Sequence, residues 1–241
     1  MDETFIRGVQ LGEVDYSTYP FSIPAVKDIE TVHFASSVTF FVGENGSGKS
    51  TLTEAIAVAA GFNAEGGTKN YSFSSQDTTS SLTDNITLVR GAIREKYGYF
   101  LRAETFYTTA NYAENSVGAP LLFDSKRIHE QSHGEAFLSI VKEFKPGLFI
   151  FDEPEAALSP QRQLALLVAM HDLVQQGSQF IIATHSPILL AYPKASIYQL
   201  SQDGVSKVEY EDVEHVTLTR DFLDNPSRYL NRLLANQVLP S

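Results

Sequence analysis

The segment Gly43-Glu44-Asn45-Gly46-Ser47-Gly48-Lys49-Ser50 constrains this chain more than any other stretch. It fits the pattern G-x-x-x-x-G-K followed by Ser or Thr. It stands between an apolar run, Val38-Thr39-Phe40-Phe41-Val42, and an alanine-rich helical stretch, Ser50 to Ala60, that stops at Gly61. Glycines let backbone N–H groups curl around phosphate oxygens without Cβ clashes. The N-terminus of the next helix adds partial positive charge. Lys49 is then placed for β- and γ-phosphates, and the Ser50 hydroxyl for Mg²⁺. Glu44, Asn45, Ser47 and Thr51 complete the set of candidate phosphate-side residues.

Two further apolar runs resemble the one before this loop. Leu148-Phe149-Ile150-Phe151 leads into Asp152-Glu153-Pro154-Glu155, and Phe180-Ile181-Ile182-Ala183-Thr184 leads into His185-Ser186-Pro187. Continuous rather than alternating hydrophobicity predicts parallel strands covered on both faces. A helix is expected over Gln161 to Gln176, with Leu164, Leu167, Val168 and Val174 on one face, Pro160 at its start and Gly177 at its end. Phe5 to Leu11, Ile86 to Arg90 and Tyr97 to Ala103 alternate better and predict an antiparallel flank. Pro226 to Asn236 reads as a terminal helix with Asn225 as its N-cap. Strand–helix alternation makes the chain an α/β protein, read as a single domain over residues 1–241.

The acidic strand end carries chemistry of its own. A carboxylate at Asp152 can meet a Mg²⁺ ion held by Ser50, through water, because Mg²⁺ keeps much of its hydration shell. Glu153 is placed to take a proton from an attacking water or to orient it. Glu155 is read as surface charge or as a residue at a helix N-terminus.

Composition removes several classes. The absence of cysteine excludes a disulfide-stapled scaffold, a thiolate zinc site and a cysteine nucleophile. A net charge of −11 argues against unaided, non-specific nucleic-acid binding, which needs Lys and Arg. No run approaches the roughly 20 apolar residues of a membrane span, and Met1 to Gln10 lacks the apolar core of a leader. The expectation is a soluble cytoplasmic protein. His33, His129, His171 and His215 have no partners at metal-ligand spacing and are read as surface or packing residues. Arg7 is a candidate phosphate or adenine contact, and Tyr19 and Phe21 are candidate adenine stackers, with a core or surface role favoured for each.

Three shorter motifs complete a pattern: Gln131-Ser132-His133-Gly134-Glu135, Ala157-Leu158-Ser159 and Thr184-His185-Ser186. In this order the set resembles the ATP-binding cassette (ABC) superfamily of P-loop ATPases. The phrases GENGSGKSTL, FIFDEPEAALSP and ATHSP look like its compact SMC-type and RecF-type branch. The resemblance covers about residues 5 to 200. It implies a P-loop NTPase fold, an ABC ATPase head with a mostly parallel core sheet, an antiparallel β flank and a small helical lobe. The P-loop lobe would span 1–104, the helical lobe 105–147, and the acidic strand, switch histidine and terminal helix 148–241.

The resemblance further implies ATP and Mg²⁺ as cofactors and an ATP-dependent homodimer. Ser132, Gly134 and Glu135 match the family signature and would contact the γ-phosphate held by the other copy. His133 stands where the family has glycine, and Glu135 where it usually has glutamine. Ser132 with Glu135 three residues on also makes a helix capping box. Ala157-Leu158-Ser159 matches the D-loop, and His185 the switch histidine that holds the attacking water. The Q-loop position, after Tyr99 to Ala103, offers Glu104 and no glutamine. Thr105 to Gln131 is too short for the coiled coil of SMC-type proteins, so any lever it drives would belong to an unidentified protein partner. Three uses remain open: an ATP hydrolase switching a nucleic-acid-associated or defence-type process, the nucleotide-binding subunit of a transporter, and an ATP-dependent scaffold with little turnover. A P-loop kinase is a remote fourth.

Overall fold

The computed structural model describes residues 4–27, 29, 31–69, 81–102 and 133–234. In chain order the elements are β1 (Ile6–Leu11), α1 (Pro24–Lys27), β2 (Thr31–His33), β3 (Val38–Val42), α2 (Lys49–Ala59), α3 (Leu82–Asn85), β4 (Ile86–Arg90) and β5 (Gly98–Arg102). They continue with α4 (His133–Lys142), β6 (Leu148–Asp152), α5 (Pro160–Gln175), β7 (Gln179–Ala183), α6 (Pro187–Leu190), β8 (Ser196–Ser201), β9 (Gly204–Val208), α7 (Glu214–Asp224) and α8 (Pro226–Leu234).

Two sheets form. The larger runs β5-β6-β7-β3-β8-β9 and is parallel except for β9. The smaller runs β2-β1-β4 and is antiparallel. Every residue of β3, β6 and β7 is buried, because both faces of the core sheet are covered. Within those continuous apolar runs the two-residue period still sorts side chains by face. Phe41, Phe100, Ile150 and Ile181 pack with Leu52 and Ile56 of α2 and with the small sheet. Phe40, Phe149, Phe151 and Phe180 pack on the other side with Phe137 of α4 and Leu166 and Met170 of α5. Stacked Phe144, Phe149 and Phe180 form the aromatic spine of that second layer.

Two sequence expectations are corrected. The described part of Tyr97 to Ala103, residues 97–102, does not join the antiparallel flank. Its strand β5 pairs in parallel with β6, Gly98 opposite Leu148 through Arg102 opposite Asp152, and is the edge of the core sheet. Its apparent alternation is a strand with Phe100 facing α2 and Tyr99 and Leu101 facing α4. The flank strand is instead β2, three residues long and too short to show a period. On α5 the buried stripe is Gln163, Leu166, Met170 and Leu173, while Leu164 and Val168 are 55% and 63% exposed. The helix carries two overlapping apolar stripes, and packing against α4 and the sheet selects one.

The terminal helix runs Pro226–Leu234, and Asn225 Oδ1 accepts from the Arg228 N–H at 3.1 Å, the expected cap. Most of the proposed helical lobe, including Ser132, lies outside the described residues, as does the Q-loop candidate Glu104. Among the described residues no helix is long and apolar enough to cross a membrane.

The parallel topology gathers three strand ends. β3, β6 and β7 are neighbours and run the same way, so the segments after Val42, Asp152 and Ala183 emerge side by side. Ligands of open α/β sheets bind at such carboxyl ends.

Candidate functional site

The glycine-rich loop leaves β3 through Gly43 and re-enters helix at Lys49. Gly43 has φ 149°, and a Cβ there would meet the Leu200 carbonyl oxygen at 2.3 Å, so β8 packs against the loop itself. Gly48, the N-cap of α2, has φ 97°, a left-handed turn that aims the helix N-terminus into the loop. Lys49 is 3% exposed, and its ammonium donates to the carbonyls of Gly43 and Glu44, both at 2.9 Å. Burial holds its pKa below the ordinary lysine value, and the carboxylates of Glu153, Asp152 and Glu155 only partly restore it. The Ser47 hydroxyl is buried without a hydrogen-bond partner among the described residues. A buried donor left so is costly, and an oxygen acceptor bound in the loop would satisfy it. Ser50 and Thr51 occupy the first turn of α2.

Across the strand ends, the Ser50 hydroxyl donates to Asp152 Oδ1 at 3.0 Å. Asp152 is the last residue of β6 and is 7% exposed. A hydroxyl and a carboxylate side by side are hard oxygen donors, the set that suits Mg²⁺, so these residues fit that ion.

Glu153 has φ 50°, a left-handed backbone that a side-chain-bearing residue adopts at a cost of about 1–3 kcal/mol. Its N–H bonded to the Ala183 carbonyl at 2.9 Å and the following Pro154 hold it there. The turn lifts the Glu153 carboxylate to 3.5 Å from His185 Nε2.

Of the two places that the sequence suggested for Glu155, surface charge or a helix N-terminus, the structure gives the second: it lies half-buried in the first turn of a 3₁₀ helix, Pro154–Ala157. Its Oε1 accepts from the His185 N–H at 2.5 Å, and the Thr184 hydroxyl bonds it as well. Burial pushes its carboxyl pKa up, with a smaller push from Glu153, against the pull of those hydrogen bonds. It ties the β6 turn to the β7 turn.

His215, which the sequence places as a surface or packing residue, is half-buried with its ring 5.8 Å from that of His185. Burial, then the charges of His185 and Lys49, hold its pKa below the usual imidazole value. It sits in the first turn of α7, and only the return of α7 to the loop brings it here. Gly43, Glu44, His185, Gln199, Glu214 and His215 line a cavity of 170 Å³. A second, of 300 Å³, is walled by Glu44, Asn45, Gly46 and Ser47 on one side and by the β8–β9 hairpin on the other.

The structure thus gathers Lys49, Ser50, Asp152, Glu153 and His185 around one point. Of the signature residues, Gly134 and Glu135 lie in the first turn of α4, which begins at His133. Phe21 belongs to the core, and Arg7 and Tyr19 are exposed.

The chain is similar to known proteins in sequence and in fold. A family model described as an AAA domain matches residues 21–142, just over half the chain. A second, described as an AAA domain, putative AbiEii toxin, Type IV TA system, matches residues 136–191. The chain is 22% identical over 219 residues to the L-cystine transport system ATP-binding protein TcyN of Escherichia coli (strain K12), covering 78% of this chain and 86% of that one. Among solved structures, MJ1267, an ATP-binding cassette of an ABC transporter, superposes with a TM-score of 0.50 at 15% identity, over 92% of this chain and 98% of that chain. The SMC head domain from Thermotoga maritima gives a TM-score of 0.49 at 16% identity, over 86% of this chain and 100% of that chain.

Proposed function

The chain belongs to the AAA-domain family, within the ABC-type P-loop ATPases, and on that premise we propose that it hydrolyses ATP between two copies of itself. The observation that carries the reading is the Ser50–Asp152 hydrogen bond, which joins the phosphate loop to the acidic strand end at the point where a nucleotide's terminal phosphates would lie.

Each residue has a distinct task. The Lys49 ammonium exchanges the Gly43 and Glu44 carbonyls for β- and γ-phosphate oxygens, and loop N–H groups receive the rest of the charge. Ser50 and Asp152 would hold Mg²⁺, which when bound neutralises charge on the phosphate oxygens. Glu153 accepts a proton from water as its oxygen attacks the γ-phosphorus in line and the bond to the ADP oxygen breaks. His185, 3.5 Å from Glu153, fixes that water. Ser132, Gly134 and Glu135 of the second copy meet the γ-phosphate from the far side, helped by the N-terminus of α4.

A defence-type process driven through a partner protein is the use we favour, on the match of residues 136–191 to a model that names a putative toxin of a toxin–antitoxin system. The likeness to TcyN favours a second use, as the ATP-binding subunit of a transporter. Phosphate release decides the chemistry. Wild type releases phosphate with ATP and Mg²⁺, Lys49→Ala does not bind ATP, and Glu153→Gln binds ATP, stops turning over and accumulates as dimer by light scattering. A Glu153→Gln protein that stays monomeric in saturating ATP sinks the two-copy reading. Co-purification with an integral membrane protein supports the transporter use.

A further inference from the structure

The buried stripe of α5 is Gln163, Leu166, Met170 and Leu173, so a primary amide opens a face that is otherwise apolar. Burying an amide is unfavourable unless its hydrogen bonds are made. Here both ends are occupied. Gln163 Nε2 donates to the Leu158 carbonyl at 3.1 Å, and Oε1 accepts from the Ser186 hydroxyl at 2.5 Å. Chemistry dictates this orientation. A carbonyl can only accept, which turns the NH₂ toward Leu158. Ser186 Oγ already accepts from the N–H groups of Ile188 and Leu189, at 3.2 and 3.1 Å, so its own proton is left for the amide oxygen.

The two ends of this bridge are informative. Leu158 is the centre of the Ala157-Leu158-Ser159 turn, and Ser186 directly follows His185. On its other side His185 is held through its N–H by the Glu155 carboxylate, and the Ser186 N–H is tied to Thr184 Oγ1 at 3.0 Å.

We infer that Gln163 is a positioning residue that couples the 157–159 turn to the His185 imidazole. Displacement of the Leu158 carbonyl moves the amide, the amide moves the Ser186 hydroxyl, and the His185 ring shifts relative to Glu153. Water activation thereby depends on the conformation of a turn 27 residues away in sequence. This deepens the hydrolytic reading above and rests on it.

The test is a double-mutant cycle on steady-state ATP hydrolysis. Gln163→Met keeps the length and removes both hydrogen bonds. It is expected to lower kcat about tenfold, since small misplacements of a catalytic group are costly, with KM for ATP within about twofold, because no ATP contact is lost. In a His185→Ala background the same change is expected to have no further effect. An equal loss in both backgrounds, or an unchanged kcat, overturns the inference. If His185→Ala turnover is undetectable, the imidazole proton resonances of His185 decide: displaced by Gln163→Met they support the coupling, unmoved they refute it. Should Gln163→Met not fold, Ser186→Ala severs the bridge from its other end and enters the same cycle. A wild type without ATP hydrolysis removes the parent reading and this one together. A wild type that hydrolyses ATP and depends on Lys49, yet shows additive Gln163→Met, removes this one alone.

Discussion

Ser50 Oγ and Asp152 Oδ1 are 3.0 Å apart although 102 residues separate them in the chain. The contact exists because β3 and β6 both flank β7 in one parallel sheet, so their carboxyl ends finish at one level. It makes the loop and the acidic strand end one site.

Asp152→Asn keeps the shape of the side chain and loses its charge. The apparent Mg²⁺ requirement for ATP hydrolysis is expected to rise about 10–100-fold, the usual effect on a metal site of changing a group that orients its shell. A Mg²⁺ titration of turnover at saturating ATP reads this, and an unshifted curve removes Asp152 from the metal role.

Lys49 is a buried ammonium whose pKa is held below that of an exposed lysine, burial being the main cause. A depressed lysine pKa means that the unfolded chain binds the proton more readily. Stability therefore rises as pH climbs from the folded pKa toward 10.5, and the cost is fully present below the folded pKa. Lys49→Met is expected to raise Tm without nucleotide at pH 7 while abolishing ATP binding. Calorimetry and a fluorescent-nucleotide titration read the two halves separately.

Glu155 has the opposite chemistry and a raised pKa. An acid whose folded pKa exceeds its unfolded value destabilises the native state above the folded pKa, and the penalty fades as pH falls through that value toward 4.5. Glu155→Gln retains the acceptor for the His185 N–H. It is expected to be at least as stable as wild type at pH 7 and to lose that margin in mild acid. Glu155→Ala instead strands the His185 N–H and is expected to cost about 1–3 kcal/mol in urea denaturation.

Gly43→Ala puts a Cβ 2.3 Å from the Leu200 carbonyl in a left-handed backbone, whereas Gly61→Ala, at φ 96°, meets nothing within 4 Å. Both bear a backbone penalty of about 1–3 kcal/mol. Only Gly43→Ala must also push β8 from the loop, so it is expected to be the less stable of the two and to lose ATP binding. Equal stability and intact binding in Gly43→Ala contradict the close packing of loop and β8.

The phosphate loop was legible in the sequence because its requirements are local. Glycines at 43, 46 and 48 take positive φ, and a strand and a helix flank them. The buried strands at 38–42, 148–152 and 179–183 were legible for the same reason, as unbroken apolar runs. The place of Asp152 and Glu153 at a strand end could be read from the sequence, but the left-handed turn that aims Glu153 at His185 could not.

What the sequence alone determined is the backbone of the core strands and of the glycine-rich loop, since dihedral preference and hydrophobic period act within a few residues. Only the tertiary structure decided that β5 lies beside β6, that α5 buries Met170 rather than Val168, that Glu155 grips the His185 backbone, and that His215 returns to the loop. These depend on neighbours distant in the chain. A period shows that a face is buried, but not what it is buried against, and that partner is chosen by packing the whole sheet.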